Sequence, residues 1–507
     1  MLEWFGDLSS GLMQAWQFSL LFSAFLGVVI GVIIGVIPGL GPAMAIALAI
    51  PLTYSLGPLI AISLMLGIYK GGTYGGSISA ILINTPGTPA AAATTLDGYP
   101  LALKGQSGKA LNIALLGSVI GDAIGIFFLC ILAQPLAAIA LKFGPTELAS
   151  LLLFALTVIA ALSGSSLLKG LIAAGLGMML GTIGMDTIAG LTRFTFGAIV
   201  LDDGLQIIPM VIGLFAMAEI FKQAEEIITR NNGALLPAPA SAADTTTSLP
   251  ELKRCMPHFL TSSVIGTAIG ALPGTGSTTA AYLSYAVARR RSRTPEEFGK
   301  GSIEGLAAAE SGNNAVCGGA LIPMMTLGIP GDVVTAILMS ALTVHGIHVG
   351  PLIFQNNREF VFTIFGLLLL SVIALYVVGK GSIAIFRRMT VLPQAIIMPI
   401  VLTLCIVGAY STNYSVLDVW VMILFGLIGY LMTKLDIPLP PLIIAFVLTP
   451  QWEQSMRLAL MMSSGDFSVF LTKPISLGFL LLALVIIVNV SRSSLRKYRT
   501  QGRGTPS

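Results

Sequence analysis

Charged residues are scarce in this 507-residue sequence: they make up 10% of the chain, whereas 55% of the residues are hydrophobic and the mean hydropathy is +0.90. A soluble globular chain carries roughly 25% charged residues, so the scarcity excludes that class. The four cysteines show no CxxC spacing and no Cys/His cluster, which argues against a disulfide framework and against a structural metal site. A net charge of only +4 gives no reason to expect a nucleic-acid partner.

Two motifs are also missing. The N-terminal stretch MLEWFGDLSS contains acidic residues and no lysine or arginine, so it lacks the basic region of a secretory signal peptide, and we expect the first apolar run to be retained. The phosphate-binding pattern GxxxxGK[ST] is absent as well, because KGQSGKA at residues 104–110 lacks the first glycine at the required spacing. The sequence therefore predicts no use of ATP by this chain.

Long apolar runs are what the sequence has in abundance. Runs near or above the roughly 20 residues that cross a bilayer as a helix recur throughout, for example at residues 17–37, 111–132, 360–378 and 475–490. Many of them are interrupted by glycine and proline. The sequence therefore predicts an all-α polytopic membrane protein with about ten to twelve spans.

Polar segments divide the chain and indicate its orientation. Residues 223–257 contain Pro, Ala, Ser and Thr with few large apolar residues, which predicts a cytoplasmic linker between a first membrane half, 1–222, and a second half with additional spans, 258–490. The loop ARRRSRTPEEFGK at 288–300 and the tail at 491–507 are the most basic stretches. Because short Lys/Arg-rich segments stay cytoplasmic, we expect both on the cytoplasmic side.

Two short motifs occur twice, in the same order. GVIPGLG at residues 35–41 returns as GALPGTG at 270–276, and GGSISAILINTPG at 75–87 resembles GGALIPMMTLGIPG at 318–331. The loops that follow the two copies differ in charge. After the first motif, uncharged PLTYSLGP at 51–58 corresponds to the basic 288–300 loop. After the second motif, residues 97–109 carry two lysines, whereas the corresponding residues 345–360 carry one arginine beside a glutamate. Since basic loops stay inside, the halves are predicted to be inverted repeats, which indicate a secondary transporter.

Both motifs place proline and glycine inside apolar runs. Irregular backbone at membrane depth is tolerated only where it is buried in protein or lines a watery cavity. A helix that begins after such a turn points free N–H groups and the positive end of its dipole at the cavity, which suits an anion, while freed carbonyl groups could coordinate Na⁺. Helix kinks are the alternative explanation for one such element, but four elements in two matched pairs favour a binding site.

Candidate substrate-binding residues follow from these turns. Thr88 is predicted to cap a helix that begins at Pro89, and Asp332 is its equivalent in the second copy. Aligning the Gly-Gly pairs sets Lys70 opposite Asn313; Lys70 is a candidate counter-charge for a carboxylate, with snorkelling to the interface as the alternative. For the asparagines the alternative is interhelical hydrogen bonding. The substrate-binding set is Lys70, Asn84, Thr85, Gly87, Thr88, Asn313, Asn314 and Gly331.

A second set is assigned to coupling with a cation. Asp122 lies well inside an apolar run, where an isolated carboxylate is a functional candidate, with a protonated structural aspartate as the alternative. Asp332 is expected to serve Na⁺ or H⁺ coupling, with helix capping as the alternative, whereas Glu219 is assigned to a span end. The set is Pro38, Gly39, Gly41, Asp122, Pro273, Gly274, Gly276 and Asp332. No cofactor is expected, and any Na⁺ would lie at carbonyl groups of the broken helices.

The motifs resemble those of a known family. GVIPGLGPAMAIALAIPLTY, ILINTPGTPAAAATTLDGYP, GLFAMAEI, GALPGTGSTTAAYLSY and FGKGSIEGLAAAESGNNAVCGGALIPMMTLGIPGD are similar to segments of the large membrane subunit of the bacterial tripartite tricarboxylate transporters. The resemblance runs from near residue 20 to near residue 490, with one departure at Ser311, where the family has alanine.

The resemblance implies a function and a location. It implies a multi-pass permease of the bacterial inner membrane, not an enzyme, that takes up small di- or tricarboxylates on a cation gradient. The partners that it implies are a small four-span membrane subunit and a periplasmic solute-binding protein. A carboxylate that enters against a negative-inside potential costs about 2.3 kcal/mol per charge per 100 mV, which is the physical reason to expect coupling to a cation and alternating access.

Two other functions stay open from the sequence. One is a stand-alone cation-coupled anion symporter. The other, more remote, is an intramembrane aspartyl protease in which Asp122 and Asp332 share a proton, although the repeat argues against it. A channel would need no inverted pair of broken helices.

Overall fold

The fold is built from helices in both halves of the chain. The computed structural model describes residues 2–163, 166–186, 188–229, 247–386 and 394–501. The helices up to residue 229 are α1 (Leu2–Ala15), α2 (Phe18–Val36), α3 (Pro42–Ala49), α4 (Pro58–Ile83), α5 (Ala92–Leu103), α6 (Ser107–Ala140), α7 (Pro145–Leu162), α8 (Leu167–Gly181), α9 (Ile207–Val211) and α10 (Ala218–Thr229). A π-helical segment, Ile212–Met217, joins α9 to α10, and two short strands, β1 (Gly184–Met185) and β2 (Thr192–Arg193), pair antiparallel.

Eleven helices lie in the described residues after 246. They are α11 (Leu249–Gly270), α12 (Gly276–Arg291), α13 (Ile303–Leu327), α14 (Val333–Val344), α15 (Ile353–Asn356), α16 (Arg358–Phe386), α17 (Gln394–Asn413), α18 (Val416–Lys434), α19 (Leu439–Met462), α20 (Val469–Thr472) and α21 (Pro474–Gln501). Short 3₁₀ turns lie at Pro51–Thr53, Ile199–Leu201 and Pro295–Glu297.

The predicted linker is narrower than the range 223–257. Its first residues continue α10, and its last residues belong to α11. A capping box starts α11: the Ser248 hydroxyl accepts from the Glu251 N–H while the Glu251 carboxylate accepts from the Ser248 N–H. Residues 230–246 lie outside the described part of the chain, and the division into halves stays a prediction.

The all-α polytopic class is confirmed. Seven described helical segments are long and apolar enough to cross a membrane: Phe18–Val36, Ser107–Ala140, Pro145–Leu162, Ile207–Glu225, Arg358–Phe386, Val416–Lys434 and Pro474–Arg492. Three shorter apolar helices, Leu167–Gly181, Val333–Val344 and Met398–Asn413, accompany them. The number of crossings stays a prediction, since α4 and α13 are long but rich in glycine and polar residues and lie almost wholly buried at the centre of the molecule.

Packing within each half is parallel. In the first half α2 and α4 run side by side, with Gly27 against Leu64 and Gly35 against Gly72. In the second half α11 and α13 do the same, with Gly266 against Gly312. Glycine at each contact lets the two backbones approach closely, as small residues do at membrane helix interfaces.

The two halves are inverted with respect to each other. Helices α4 and α13 cross antiparallel, since Tyr69 contacts Asp332 beyond the end of α13 while Thr73, further along α4, contacts Cys317. The corresponding helices of the two halves therefore start at opposite surfaces of the molecule, and the broken segments of both halves lie near its centre. This packing agrees with the expectation of inverted repeats with broken helices.

The packing also corrects the predicted register between the halves. Gly87 packs against Gly35 and Gly76, whereas the equivalent Gly331 packs against Gly270 and Ala320. Gly76 therefore corresponds to Ala320, not to the second glycine of the Gly-Gly pair. The shift of one residue sets Lys70 opposite Asn314 instead of Asn313, and it makes Tyr69 equivalent to Asn313 and Thr73 equivalent to Cys317. Sequence alignment on the glycines failed because the Gly-Gly pair itself is displaced by one position between the copies.

The helix ends define two surfaces. The one that we call the basic surface carries the 288–300 loop, where Lys104 donates to the Lys300 carbonyl at 2.6 Å and Arg254 pairs with Glu297 at 2.8 Å. The C-terminal ends of α10 and α18 reach the same side. On the opposite surface the cations are largely held by acidic partners, as in the pairs of Arg358 with Asp7, Arg193 with Glu453, Arg457 with Asp186, and Lys473 with Glu147.

Candidate functional site

A cavity of about 940 Å³ lies where the broken segments of the two halves meet. It extends toward the basic surface between α10 and α18, so one end of it approaches solvent-exposed helix ends. Both PGxG motifs and both proline turns contribute to its wall. Of the sixteen predicted positions, its lining includes Pro38, Gly39, Gly41, Thr85, Gly87, Thr88, Gly276, Asn313 and Asp332.

The PGxG motifs present helix N-termini to the cavity. Gly39 and Gly274 turn the chain with φ of 84° and 78°, a conformation that strains any residue with a Cβ. Helix α3 then starts behind Gly41 and α12 behind Thr275, and neither start has a side chain that caps it. The first N–H groups of these helices are consequently available to a ligand, together with the positive end of each helix dipole.

The second proline turn differs from the PGxG motifs because its own side chain caps the helix that follows it. Asp332 Oδ1 accepts from the Thr335 N–H at 2.8 Å in a capping box at the start of α14, which confirms the predicted cap. Asp332 Oδ2 accepts from the Tyr69 hydroxyl at 2.7 Å. An anionic cap already occupies this helix end, so it is a poor place for a second anion. The expectation that a helix start at a broken segment suits an anion therefore stays a prediction for α3 and α12, and it does not apply to α14.

The first proline turn corrects a predicted helix start. Helix α5 begins at Ala92, and the residues from Pro89 to Ala91 form turns. Thr88 Oγ1 nevertheless accepts from the Ala91 N–H at 3.3 Å, so the residue stabilises the turn rather than the predicted helix.

Polar groups at the crossing of α4 and α13 face the cavity. Thr73, Tyr69 and Cys317 line it, and so does Asn313, whose side-chain nitrogen and oxygen both lack a hydrogen-bond partner although the residue is buried. Buried polar groups are almost always paired, so an unpaired amide at a cavity wall indicates a position for a polar ligand or water.

The end of the cavity toward the basic surface carries charges of both signs. Lys222 and Glu219 lie 3.7 Å apart on α10, and Lys434 of α18 pairs with Glu225 at 2.5 Å. Glu219 also packs against Gly39, so its assignment to a span end was wrong: it lies at the wall of the cavity.

Lys70 and Asp122 lie apart from the cavity. Lys70 is buried, its Nζ lies 3.0 Å from Asp122 Oδ2, and it donates to the Leu368 carbonyl at 2.6 Å. The lysine is therefore not placed to meet a substrate, and the aspartate has a cation of its own protein as its partner. Neither side chain lines the cavity, which corrects the roles expected for both.

Five further predicted residues have structural contacts instead of a place in the cavity wall. Asn84 ends α4 in the left-handed conformation and is exposed. Asn314 donates to Ser118 Oγ at 2.8 Å. Gly331 permits close contact with Gly270, the Gly331 carbonyl accepts from the Gly274 N–H at 2.8 Å, and Pro273 lies in the same turn. The contacts of Gly331 with Gly270 and Gly274 hold the second PGxG motif against the second proline turn.

Several residues of the site were not found from the sequence. Ser277 and Thr278 follow GALPGTG directly, and Tyr69 precedes Lys70, so adjacency to quoted motifs was an available signal. Lys222 and Lys434 come from helices outside the repeats, and no local pattern connects them with the turns. Residues brought together by tertiary contacts alone leave no mark in a single sequence.

A second cavity, of about 600 Å³, lies at the opposite surface near the C-terminal end of α14. Its wall contains the ion pairs of Asp186 with Arg457 at 2.5 Å and of Arg193 with Glu453 at 2.6 Å. Hydrogen bonds from the Ile188 and Ala189 N–H groups, together with Arg457, lower the pKa of the Asp186 carboxyl to about 2.

Comparison with known proteins decides the family. Residues 21–444 match the family described as "Tripartite tricarboxylate transporter TctA family". The chain belongs to this family. The resemblance of its motifs is thereby confirmed, and the chain is a multi-pass membrane protein of a transporter family.

Two relatives from Agrobacterium vitis accompany that match. The chain is 34% identical over 448 residues, 88% of each chain, to "Uncharacterized 52.8 kDa protein in TAR-I ttuC' 3'region". It is 34% identical over 236 residues, 46% of this chain and 98% of the relative, to "Uncharacterized protein in TAR-II ttuC' 3'region". No solved structure matches the chain.

Proposed function

We propose that this TctA-family protein is the permease subunit through which small di- or tricarboxylates enter a bacterial cell. The observation that carries the proposal is the cavity between two inverted broken-helix elements, because inverted repeats of this kind place the substrate at their interface in secondary transporters. Alternating access then amounts to opening this central cavity to one surface and closing it to the other.

The uncapped starts of α3 and α12 support a carboxylate as the substrate. They face one cavity from opposite halves, so two carboxylate groups of one molecule can each meet backbone N–H groups at a helix N-terminus. Ser277, Thr278 and Asn313 add neutral donors to the same wall. This assignment moves the PGxG segments from the cation set to the substrate set, while Asp332, hydrogen-bonded to Tyr69, remains a charged group of the cavity wall.

Partners and orientation complete the proposal. Membership of a tripartite family supports a small four-span membrane subunit and a periplasmic solute-binding protein as partners. The concentration of Lys and Arg in the 288–300 loop at the basic surface supports placing that surface and the C-terminus in the cytoplasm of a cell with the chain in its inner membrane. In this orientation the large cavity extends toward the cytoplasm.

The aspartyl protease alternative loses its physical basis. Asp332 lines the cavity, but Asp122 is buried beside Lys70 outside it, so the two carboxyl groups do not form a proton-sharing pair. The stand-alone symporter stays as the second candidate, because the cavity is complete within this chain.

Reconstitution tests these candidates. The chain is placed in liposomes alone, with a small membrane subunit encoded beside its gene, and with a binding protein added outside, and uptake of labelled di- and tricarboxylates is measured under imposed Na⁺ or pH gradients. Uptake that requires all three proteins and one gradient is expected. Full uptake by the chain alone would favour the stand-alone symporter, and uptake that is indifferent to both gradients would exclude cation coupling.

A further inference from the structure

Glu310 is a fully buried carboxyl group on α13 whose partners are all neutral. It accepts hydrogen bonds from the hydroxyl groups of Thr94 on α5 and Ser118 on α6, the latter at 3.2 Å. The Ser77 hydroxyl of α4 faces the same carboxyl group. Within the described residues no lysine, arginine or histidine forms an ion pair with Glu310.

An ionised carboxylate in such a place has no compensating charge. The cation of Lys70 is already matched by Asp122, so that pair contributes no net charge to the neighbourhood. Burying an isolated carboxylate is so unfavourable that the group instead neutralises itself by binding a cation. The carboxyl group of Glu310 is therefore neutral only when it binds a cation or a proton from outside the protein.

The inverted half shows that the fold does not require a carboxyl group at this position. In the corrected register Leu66, Leu321 and Leu338 correspond to Glu310, Ser77 and Thr94. These three leucines also cluster, in the wall of one small apolar void. One half therefore fills the position with hydrocarbon, and the polar cluster in the other half has a purpose beyond packing.

The cluster lies one helical turn from the central cavity. Glu310 precedes Asn313 by one turn on α13, and Ser77 follows Thr73 by one turn on α4, while Asn313 and Thr73 both line the cavity. Hydroxyl and amide groups thus line the path of one helical turn between the cavity and the carboxyl group. The Ser77 hydroxyl lies beside the Glu310 carboxyl group, at the end of this path.

The surroundings favour a proton over a metal ion. The Glu310 side chain does not line the central cavity, and α4, α6 and α13 are continuous at the cluster, so their carbonyl groups are used within the helices. Na⁺ needs space and several free oxygen ligands, whereas a proton needs only the carboxyl oxygen and a hydrogen-bonded route.

We propose that Glu310 binds and releases the proton that drives carboxylate transport, with Ser77, Thr94 and Ser118 as positioning residues. Hydronium in the cavity gives its proton to the Glu310 carboxylate when the cavity is open to one surface, so that its own O–H bond breaks as the carboxyl O–H bond forms. The carboxyl O–H bond then breaks and the proton passes to water when the cavity is open to the other surface. This inference rests on the proposed transport function and names its coupling ion and the residue that carries it.

The first test compares exchange with net transport in the reconstituted complete system. Glu310→Gln keeps the shape of the protonated carboxyl group but cannot release a proton. We expect it to exchange internal for external carboxylate at close to the wild-type rate, with a flat pH profile, and to lose uphill uptake on a pH gradient by about tenfold or more. Glu304→Gln, a matched change at a carboxylate that pairs with Arg254, should keep coupled uptake.

Ser118→Ala is the second variant in this test, and it keeps the proposal testable if Glu310→Gln does not fold. It removes one hydrogen bond to the carboxyl group, and we expect it to shift the pH midpoint of coupled uptake without abolishing it. Glu310→Gln with wild-type uphill uptake, or a folded Glu310→Gln without exchange, would overturn the proposal, as would an unchanged midpoint in Ser118→Ala.

The second test needs no transport. Infrared difference spectra of the purified chain, wild type minus Glu310→Gln, are recorded across a pH series. We expect the C=O stretch of a protonated carboxyl group near neutral pH and its loss in alkaline buffer. No such band at any pH, or its removal by NaCl at constant pH, would overturn the proton assignment. If the band is present but no carboxylate is transported, the proposed function fails and the proton site does not.

Discussion

Thr73 Oγ1 lies 3.6 Å from Cys317 Sγ, and the two residues occupy equivalent positions in the two inverted halves. A contact between equivalent residues places them beside the pseudo-two-fold axis that relates the halves. Both side chains also line the central cavity, so the axis passes through it. Because each half can offer the same contacts to either surface, the symmetry supplies a physical basis for alternating access around a fixed site.

Cys317 should be the cysteine that a water-soluble thiol reagent modifies first. The described cavity is lined by Cys317 and not by Cys130, Cys255 or Cys405, which are buried elsewhere. We expect a small methanethiosulfonate to inactivate the reconstituted protein and a transported carboxylate to slow that reaction. Cys317→Ala serves as the control, and inactivation that persists in it would contradict the position of the cavity.

Asp332 should contribute to stability as a helix cap and to transport as a charge. Asp332→Ala removes the capping box and should lower the free energy of unfolding by about 0.5–2 kcal/mol, whereas Asp332→Asn retains a capping oxygen and should lower it much less. Thermal unfolding in detergent measures both changes. Equal losses in the two variants would argue against a capping role, and transport by Asp332→Asn at the wild-type rate would argue against a role of the charge.

The buried pair of Lys70 and Asp122 should behave as one unit. Lys70→Met alone leaves a buried carboxylate without its partner and should destabilise the protein by about 3–5 kcal/mol, as should Asp122→Leu. The double variant should lose far less than the sum of the single variants, because no unpaired charge remains. A double-mutant cycle in unfolding free energy tests this, and additive effects would show that the two side chains act independently.

Gly39 and Gly41 form a matched pair for testing the first PGxG turn. A Cβ at Gly39 would overlap the Glu219 carboxylate in a left-handed backbone, whereas a Cβ at Gly41 would meet only the Thr88 methyl group at 3.9 Å, an ordinary van der Waals contact. Gly39→Ala should therefore cost about 1–2 kcal/mol from backbone strain alone and disturb the cavity wall. Gly41→Ala should leave stability unchanged in the same unfolding assay. A lower free energy of unfolding in both variants would mean that the turn tolerates a side chain at neither position.

The ion pairs at the opposite surface predict a pH dependence of stability. The pKa of the Asp186 carboxyl group is lowered to about 2 in the folded protein, whereas the pKa of an aspartate in an unfolded chain is about 3.9. The carboxylate therefore stabilises the folded state at pH values above about 4, and this contribution is lost as the pH falls from there toward 2. The difference in melting temperature between wild type and Asp186→Asn should shrink over that window. Exposed Asp203→Asn is the control, and a constant difference would contradict the shift.

Much of the architecture was predictable from the sequence. Apolar runs predict helices that cross a membrane, because lipid leaves unpaired backbone groups no other partner, and the duplicated PGxG and proline motifs predict inverted halves with broken helices. Short motifs were also sufficient to identify the family. Nine of the sixteen predicted site positions line the cavity, since they lie in the broken segments themselves.

Tertiary structure alone decided which charged groups belong to the site. Lys70 and Asp122 both looked unpaired in the sequence, yet helix packing joins them to each other and removes them from the cavity. Conversely, Glu310 and its hydroxyl partners come from four helices, and Lys222 and Lys434 come from helices outside the repeat. The sequence by itself determined where the backbone must break, because proline and glycine act locally. Whether a buried charge is matched depends on neighbours that are distant in the chain, so only the folded structure could decide it.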